Sequence, residues 1–137
     1  METKDFERTI NFQQDTRNGV VYPIITAEFL TKLDVWIKVS LLFDTGATDI
    51  VLSREYLKSF NRGKYVNADQ AGHKKSRRVP TADSRIRTLG VEQDCTVLLS
   101  SLPPSPLYTG LFGRRLFSLF GFGFWENVSE LYVTLKP

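Results

Sequence analysis

From Val35 to Phe43, apolar residues fall on every second position. Val35, Ile37, Val39, Leu41 and Phe43 alternate with Trp36, Lys38, Ser40 and Leu42. A period of two marks a β-strand with one well-buried face, and this one runs straight into Asp44. Upstream, Val20 to Leu30 is β-branched and aromatic, which predicts a second strand with Pro23 at an edge or bulge. Thr31-Lys32-Leu33-Asp34 reads as the hairpin between the two. Residues 1–18 are polar and lack a period, so they form either a flexible arm or an added strand. The domain proper then covers 19–137.

Beyond the acid, Ile50-Val51-Leu52 re-enters the core. Ser53 caps a short helix that runs to Phe60, with Glu55 in its first turn and Asn61-Arg62-Gly63 as its stop. Tyr65–Ala68 and Arg77–Pro80 are the arms of a projecting hairpin with its turn near Gly72. Arg85–Val91 and Cys95–Leu99 follow as strands. Ser101–Pro106 is a stiff connection, because its three prolines cannot donate to a ladder. Leu116, Phe117, Leu119 and Phe120 suit a short buried helix stopped by Gly121 and Gly123. Leu131, Val133 and Leu135 alternate with polar neighbours in a final strand. Many short strands with one or two short helices make the chain mainly β. Neither an internal repeat nor a low-complexity segment is present.

Composition narrows the picture. At 137 residues one domain with a substantial core is expected. A net charge of +3 is too mild to argue by itself for a nucleic-acid partner. Cys95 is the sole cysteine and His73 the sole histidine, which excludes a disulfide framework and a Cys/His zinc cluster. No metal and no cofactor are expected. The polar N-terminus carries no secretory signal, and Leu111–Trp125 is too short to span a bilayer and contains Arg114 and Arg115. A cytoplasmic protein with no membrane association is expected. Cys95, inside a strand pattern, reads as a small core residue. His73 has no Ser or Cys nucleophile in a recognisable context and reads as exposed.

The candidate chemistry lies where the first pattern ends. Phe43 and the leucines before it anchor a strand, and Asp44 offers a carboxylate at the mouth of a turn. Thr45 can fix the loop through its hydroxyl, and Gly46 permits a tight turn and a close approach. Leu42-Phe43-Asp44-Thr45-Gly46-Ala47 resembles the active-site loop of aspartic peptidases. The order of elements adds to this: a hairpin into that loop, a polar hairpin, two strands, Leu111-Phe112-Gly113-Arg114, a short helix and a terminal strand. From Val20 to Leu135 the chain resembles the retropepsin family, the single-domain aspartic proteases of retroviruses and their cellular and bacterial relatives.

The resemblance implies a small closed β-barrel of the acid-protease type that assembles as a two-fold homodimer. Asp44 would be catalytic, with Thr45, Gly46 and Ala47 supporting its loop. Gly113 and Arg114 would brace that loop, Arg114 through a bidentate, partly buried pair with Asp49 or another nearby acid. Asp49 and a flap around Gly72 and His73 would meet an extended peptide or protein substrate. Two departures stand out. Many relatives carry Asp or Asn where this chain has Arg115, and retroviral flaps are glycine-rich where this one reads Gly72-His73-Lys74-Lys75, with Arg77 and Arg78 behind. Such a flap either favours acidic peptides or is a solvated charge run.

Peptide hydrolysis of this kind needs two carboxylates sharing one proton, because like charges in contact cannot both ionise. Asp15-Thr16-Arg17 and Asp83-Ser84-Arg85 lack the glycine and follow no strand into the acid. The second carboxylate is therefore expected from Asp44 of another copy. The terminal strand through Leu131–Leu135, with or without the N-terminal arm, is the expected extra interface. Two other functions compete: a dimerisation or peptide-docking module with little hydrolysis, and nucleic-acid binding through Lys74, Lys75, Arg77 and Arg78. The latter has no interleaved aromatics to support it.

Overall fold

The computed structural model describes residues 8–68, 77–125 and 130–135. In chain order the strands are β1 (Arg8–Asn11), β2 (Gln13–Gln14), β3 (Val21–Tyr22), β4 (Ile24–Leu30), β5 (Trp36–Phe43) and β6 (Ile50–Ser53). Then come β7 (Tyr65–Ala68), β8 (Arg77–Thr88), β9 (Val91–Ser100), β10 (Gly110–Phe112), β11 (Phe120–Trp125) and β12 (Glu130–Leu135). Two 3-10 helices, Arg54–Ser59 and Arg114–Leu119, follow β6 and β10.

Six strands close a barrel in the order β4-β5-β10-β6-β9-β8, because β8 returns to pair with β4. The closing seam is short: Glu28 faces Arg87 and Phe29 faces Ile86. Side chains extend it. Ser84 Oγ donates to Leu30 O at 2.9 Å and Thr88 Oγ1 to Thr26 O at 3.0 Å. The Arg87 guanidinium lies 3.6 Å from the centre of the Trp36 ring. The barrel is filled by Phe29, Leu41, Leu52, Ile86, Val97, Leu99 and Phe112, all fully buried. Each contributes about 1.5–3 kcal/mol by leaving water. A second, three-stranded sheet, β1-β12-β11, places Leu131 and Val133 in the same core.

The alternation along β5 is realised from Ile37 onward, with Val39, Leu41 and Phe43 buried. Val35 instead precedes the strand and is exposed, beside Asp34 at a φ of 58°. Pro23 separates β3 from β4. Ser53 does cap the first helix, accepting from Glu55 N–H, and the six residues after it are wound as a 3-10 helix.

Two expectations need correction. Val91 already opens β9, and Arg77–Pro80 and Arg85–Thr88 belong to one twelve-residue strand, β8. Its first part pairs with β7 and its second with β9, so Pro80 sits at the changeover, where Thr81 N–H bonds to Lys64 O instead. Leu89 and Gly90 form the tight β8–β9 turn with φ of 50° and 80°, values that a primed hairpin turn requires. Gly121 and Gly123 do not stop a helix; they lie within β11. Residues 8–14, read as arm or strand, contribute β1 and β2, and β1 pairs with β12. The projected turn around Gly72, with His73, Lys74 and Lys75, lies outside the described residues.

Candidate active site

The site is organised by the end of β5. Phe43 is buried against a cluster of rings: Phe117 stacks on it at 4.8 Å, Phe122 meets it edge-on at 4.7 Å, and Phe112 lies at 5.8 Å. With its predecessor so anchored, Asp44 emerges at a fixed point. Parallel pairing of β10 with β5 sets Phe112 beside Phe43, and Asp44 N–H donates to Phe112 O at 3.2 Å. The carboxylate is partly exposed. Its Oδ1 accepts Gly46 N–H at 2.9 Å, and Ala47 N–H reaches back to Asp44 O at 3.3 Å. The loop thus folds on its own acid.

Gly46 is needed for approach rather than for a left-handed backbone. A Cβ there would lie 3.2 Å from Asp44 Oδ1. Thr45 is exposed, and the bonds described in this loop come from backbone amides rather than from its hydroxyl. Gly113 matters more. A Cβ on it would stand 2.1 Å from Asp49 O, because the segment after β10 lies directly on the loop backbone. That contact puts Arg114 N–H on Ala47 O and Arg115 N–H on Thr48 O, both at 2.9 Å.

The same register decides the side chains and corrects the bracing scheme. Arg114 does not pair with Asp49; its Nη2 donates to Thr48 Oγ1 at 3.0 Å, and the residue is exposed. Arg115 Nε donates to Asp49 Oδ1 instead. The unusual arginine therefore takes the role assigned to its neighbour. A cleft of about 1200 Å³ opens beside this pair, lined also by Ile50, Asp83, Cys95 and Thr96. Burial, and then Asp94 and Asp83, push the Cys95 thiol up to about 12. It stays a protonated, poorly reactive thiol at neutral pH. Arg77 and Arg78 are exposed on β8, Arg78 at 6.0 Å from the Tyr65 ring.

Sequence pattern assigns Asp15-Thr16-Arg17 no role beyond its missing glycine, and assigns Tyr22 and Tyr108 none. Asp15 is buried, only 2% exposed. Its carboxylate accepts from Arg17 N–H, Nε and Nη2 at 2.9, 3.1 and 2.8 Å. Those side-chain bonds first, and the backbone bond next, hold it below the usual carboxylate range. Tyr22 and Tyr108 meet edge to face at 6.3 Å. Burial, then the nearby Tyr22 and Asp44, raise the Tyr108 hydroxyl. The available signal was Asn18-Gly19, a hairpin dipeptide, with Gly19 at a φ of 72°.

The closed six-stranded barrel is a specific architecture, and solved structures share this fold. Similarity extends to a retropepsin-like aspartic protease from Rickettsia conorii, at 19% identity, with 95% of this chain and 91% of that chain covered and a TM-score of 0.53. The chain has the retropepsin-like fold. EIAV protease complexed with the inhibitor HBY-793 is similar at 19% identity over 71% of this chain and 86% of that one, with a TM-score of 0.52. No family model and no curated protein matches the sequence. Among the described residues, no helix of this retropepsin-like chain is long and apolar enough to cross a membrane, and no acidic, His and Cys cluster suits a metal ion.

Proposed function

We propose that the chain is one half of an aspartic endopeptidase, and that two copies bring their Asp44 carboxylates together around one water. A single observation carries this reading. Within a retropepsin-like barrel, a partly exposed carboxylate stands at the end of β5 in a loop held by Gly46 N–H and braced by the Gly113 contact. One carboxylate, deprotonated, takes a proton from the water as it attacks the scissile carbonyl. The other, protonated, donates to the forming oxyanion. The two titrate as a unit, so neither proton belongs to one residue.

Asp15 and Asp83 are poor candidates for the second acid. Asp15 is buried and neutralised by Arg17, and Asp83 accepts from Thr96 Oγ1 on the barrel wall. A homodimer supplies the missing group. Substrate would be a peptide or protein segment lying extended under the β7–β8 hairpin, with Asp49, Gly72 and His73 toward it. The β1-β12-β11 sheet would extend the contact between copies.

A peptide-docking module with weak hydrolysis is the second reading. It is favoured by the exposed position of Arg114 and by the transfer of the acid pair to Arg115, which leave the loop less firmly braced. Peptide-library cleavage by wild type and Asp44→Asn, with sedimentation of both, separates the two. Cleavage by the wild-type dimer and a loss of about 10²–10⁴-fold or more in the variant supports the endopeptidase. A folded dimer that binds peptides and cuts none supports docking. A folded monomer contradicts the shared site.

A further inference from the structure

The segment before β4 reaches the site by two routes. Along the first, β4 and β5 pair antiparallel with Ile24 opposite Leu42, and Pro23 O accepts Phe43 N–H at 2.9 Å. Tyr22 precedes Pro23 as Asp44 follows Phe43, and the Tyr108 hydroxyl feels both Tyr22 and Asp44. Along the second, the Arg17 Nη2 that binds Asp15 also donates to Pro104 O at 3.3 Å. Pro104 lies in the connection between β9 and β10, and so does Tyr108, four residues on. The next residue is fixed in the barrel: Thr109 N–H donates to Ser40 O, Ser53 N–H donates to Thr109 O, and Tyr56 Oη lies 2.7 Å from Thr109 Oγ1.

The connection is thus held at two points, at Thr109 by the barrel and at Pro104 by Arg17. Between them Tyr108 lies edge to face with Tyr22, both half-buried. We propose that the Asp15–Arg17 pair is a strut: by holding Pro104 it keeps Tyr108 against Tyr22 as an aromatic wall beside Asp44 that receives a ring side chain of the bound peptide. The inference rests on the endopeptidase reading for the nature of its ligand. Ring edges and faces at this spacing favour a third ring. A charged side chain would lose its hydration there without gaining a partner, and an acidic one would also meet the field of Asp44. Arg17 is a positioning residue; the tyrosines meet the substrate.

The test compares peptides that differ only in Phe or Ala at one scanned position. Their kcat/KM ratio is measured for wild type, Tyr108→Ala, Tyr108→Phe, Arg17→Lys and the double variant Asp15→Asn/Arg17→Met. Binding of the same peptides to Asp44→Asn, with and without Tyr108→Ala, is measured by fluorescence anisotropy. The Phe preference should fall about tenfold in Tyr108→Ala, mainly through KM, and persist in Tyr108→Phe. The double variant, which leaves no buried charge unpaired, should lose preference without losing its cooperative melt. Should it fail to fold, Arg17→Lys decides, since lysine keeps the charge but lacks the fork and should lose part of the preference.

An unchanged preference in Tyr108→Ala overturns the wall. An unchanged preference in both strut variants, or in Arg17→Lys if the double variant does not fold, overturns the strut. If wild type cuts nothing while Asp44→Asn still prefers Phe peptides through Tyr108, the wall stands and the endopeptidase reading falls. Neither cleavage nor binding overturns both.

Discussion

Arg114 and Arg115 are adjacent, equally charged and both exposed, yet only backbone register decides which one meets Asp49. Because Arg114 makes one bond to Thr48 Oγ1 from an exposed position, Arg114→Lys should change stability by no more than about 0.5 kcal/mol. Arg115→Ala, which breaks an exposed ion pair, should cost about 1 kcal/mol or less. Denaturant titration checks both, and a loss of several kcal/mol in Arg114→Lys would restore the buried-brace scheme. Asp15 behaves differently. Its folded value is lowered by Arg17, so the stability it adds is fully present above the ordinary carboxylate value of about 3.9 and is lost as pH falls through the lowered one. Wild type should therefore exceed Asp15→Asn in melting temperature at neutral pH, with the gap closing below about pH 4. A gap that widened in acid would contradict the assignment.

At the scale of elements, the most exacting contact is between the turn after β10 and the acid loop. Gly113 has a φ of −88° and a ψ of 174°, which any residue can adopt, so its requirement is purely steric. Gly113→Ala should cost about 3 kcal/mol or more, at the upper end of overpacking effects, and should impair Asp44-dependent activity beyond the stability loss. A neutral Gly113→Ala would mean that the loop and the turn separate easily. The elements also mark how far the sequence could be read. β5 and the acid loop were legible because one-sided burial writes a period of two and the strand ends in a charge. β11 was missed because Phe120-Gly121-Phe122-Gly123 offers helix-breaking glycines as well as alternation, and pairing with β12 decided between them. Pro80 and Asp83-Ser84-Arg85 hid the continuity of β8, since a strand that changes partners midway tolerates proline at the changeover. The Arg115–Asp49 pair and the Asp15–Arg17–Pro104 contact depend on distances across the chain, which local pattern does not encode.

For the whole molecule, a barrel closed by β8 on β4 makes a rigid platform, and every bond described at the Asp44 loop ties it to that platform or to itself. Among the described residues, Asp44 is the carboxylate that this platform holds at the end of β5. The central claim is therefore that the functional site belongs to two chains. Co-refolding wild type with an equal amount of Asp44→Asn tests it most directly. If each site needs Asp44 from both copies, only about a quarter of the dimers hold the pair, and the activity of a given amount of wild type falls to about half. Activity untouched by the added variant would place the whole site in a single chain and contradict the account.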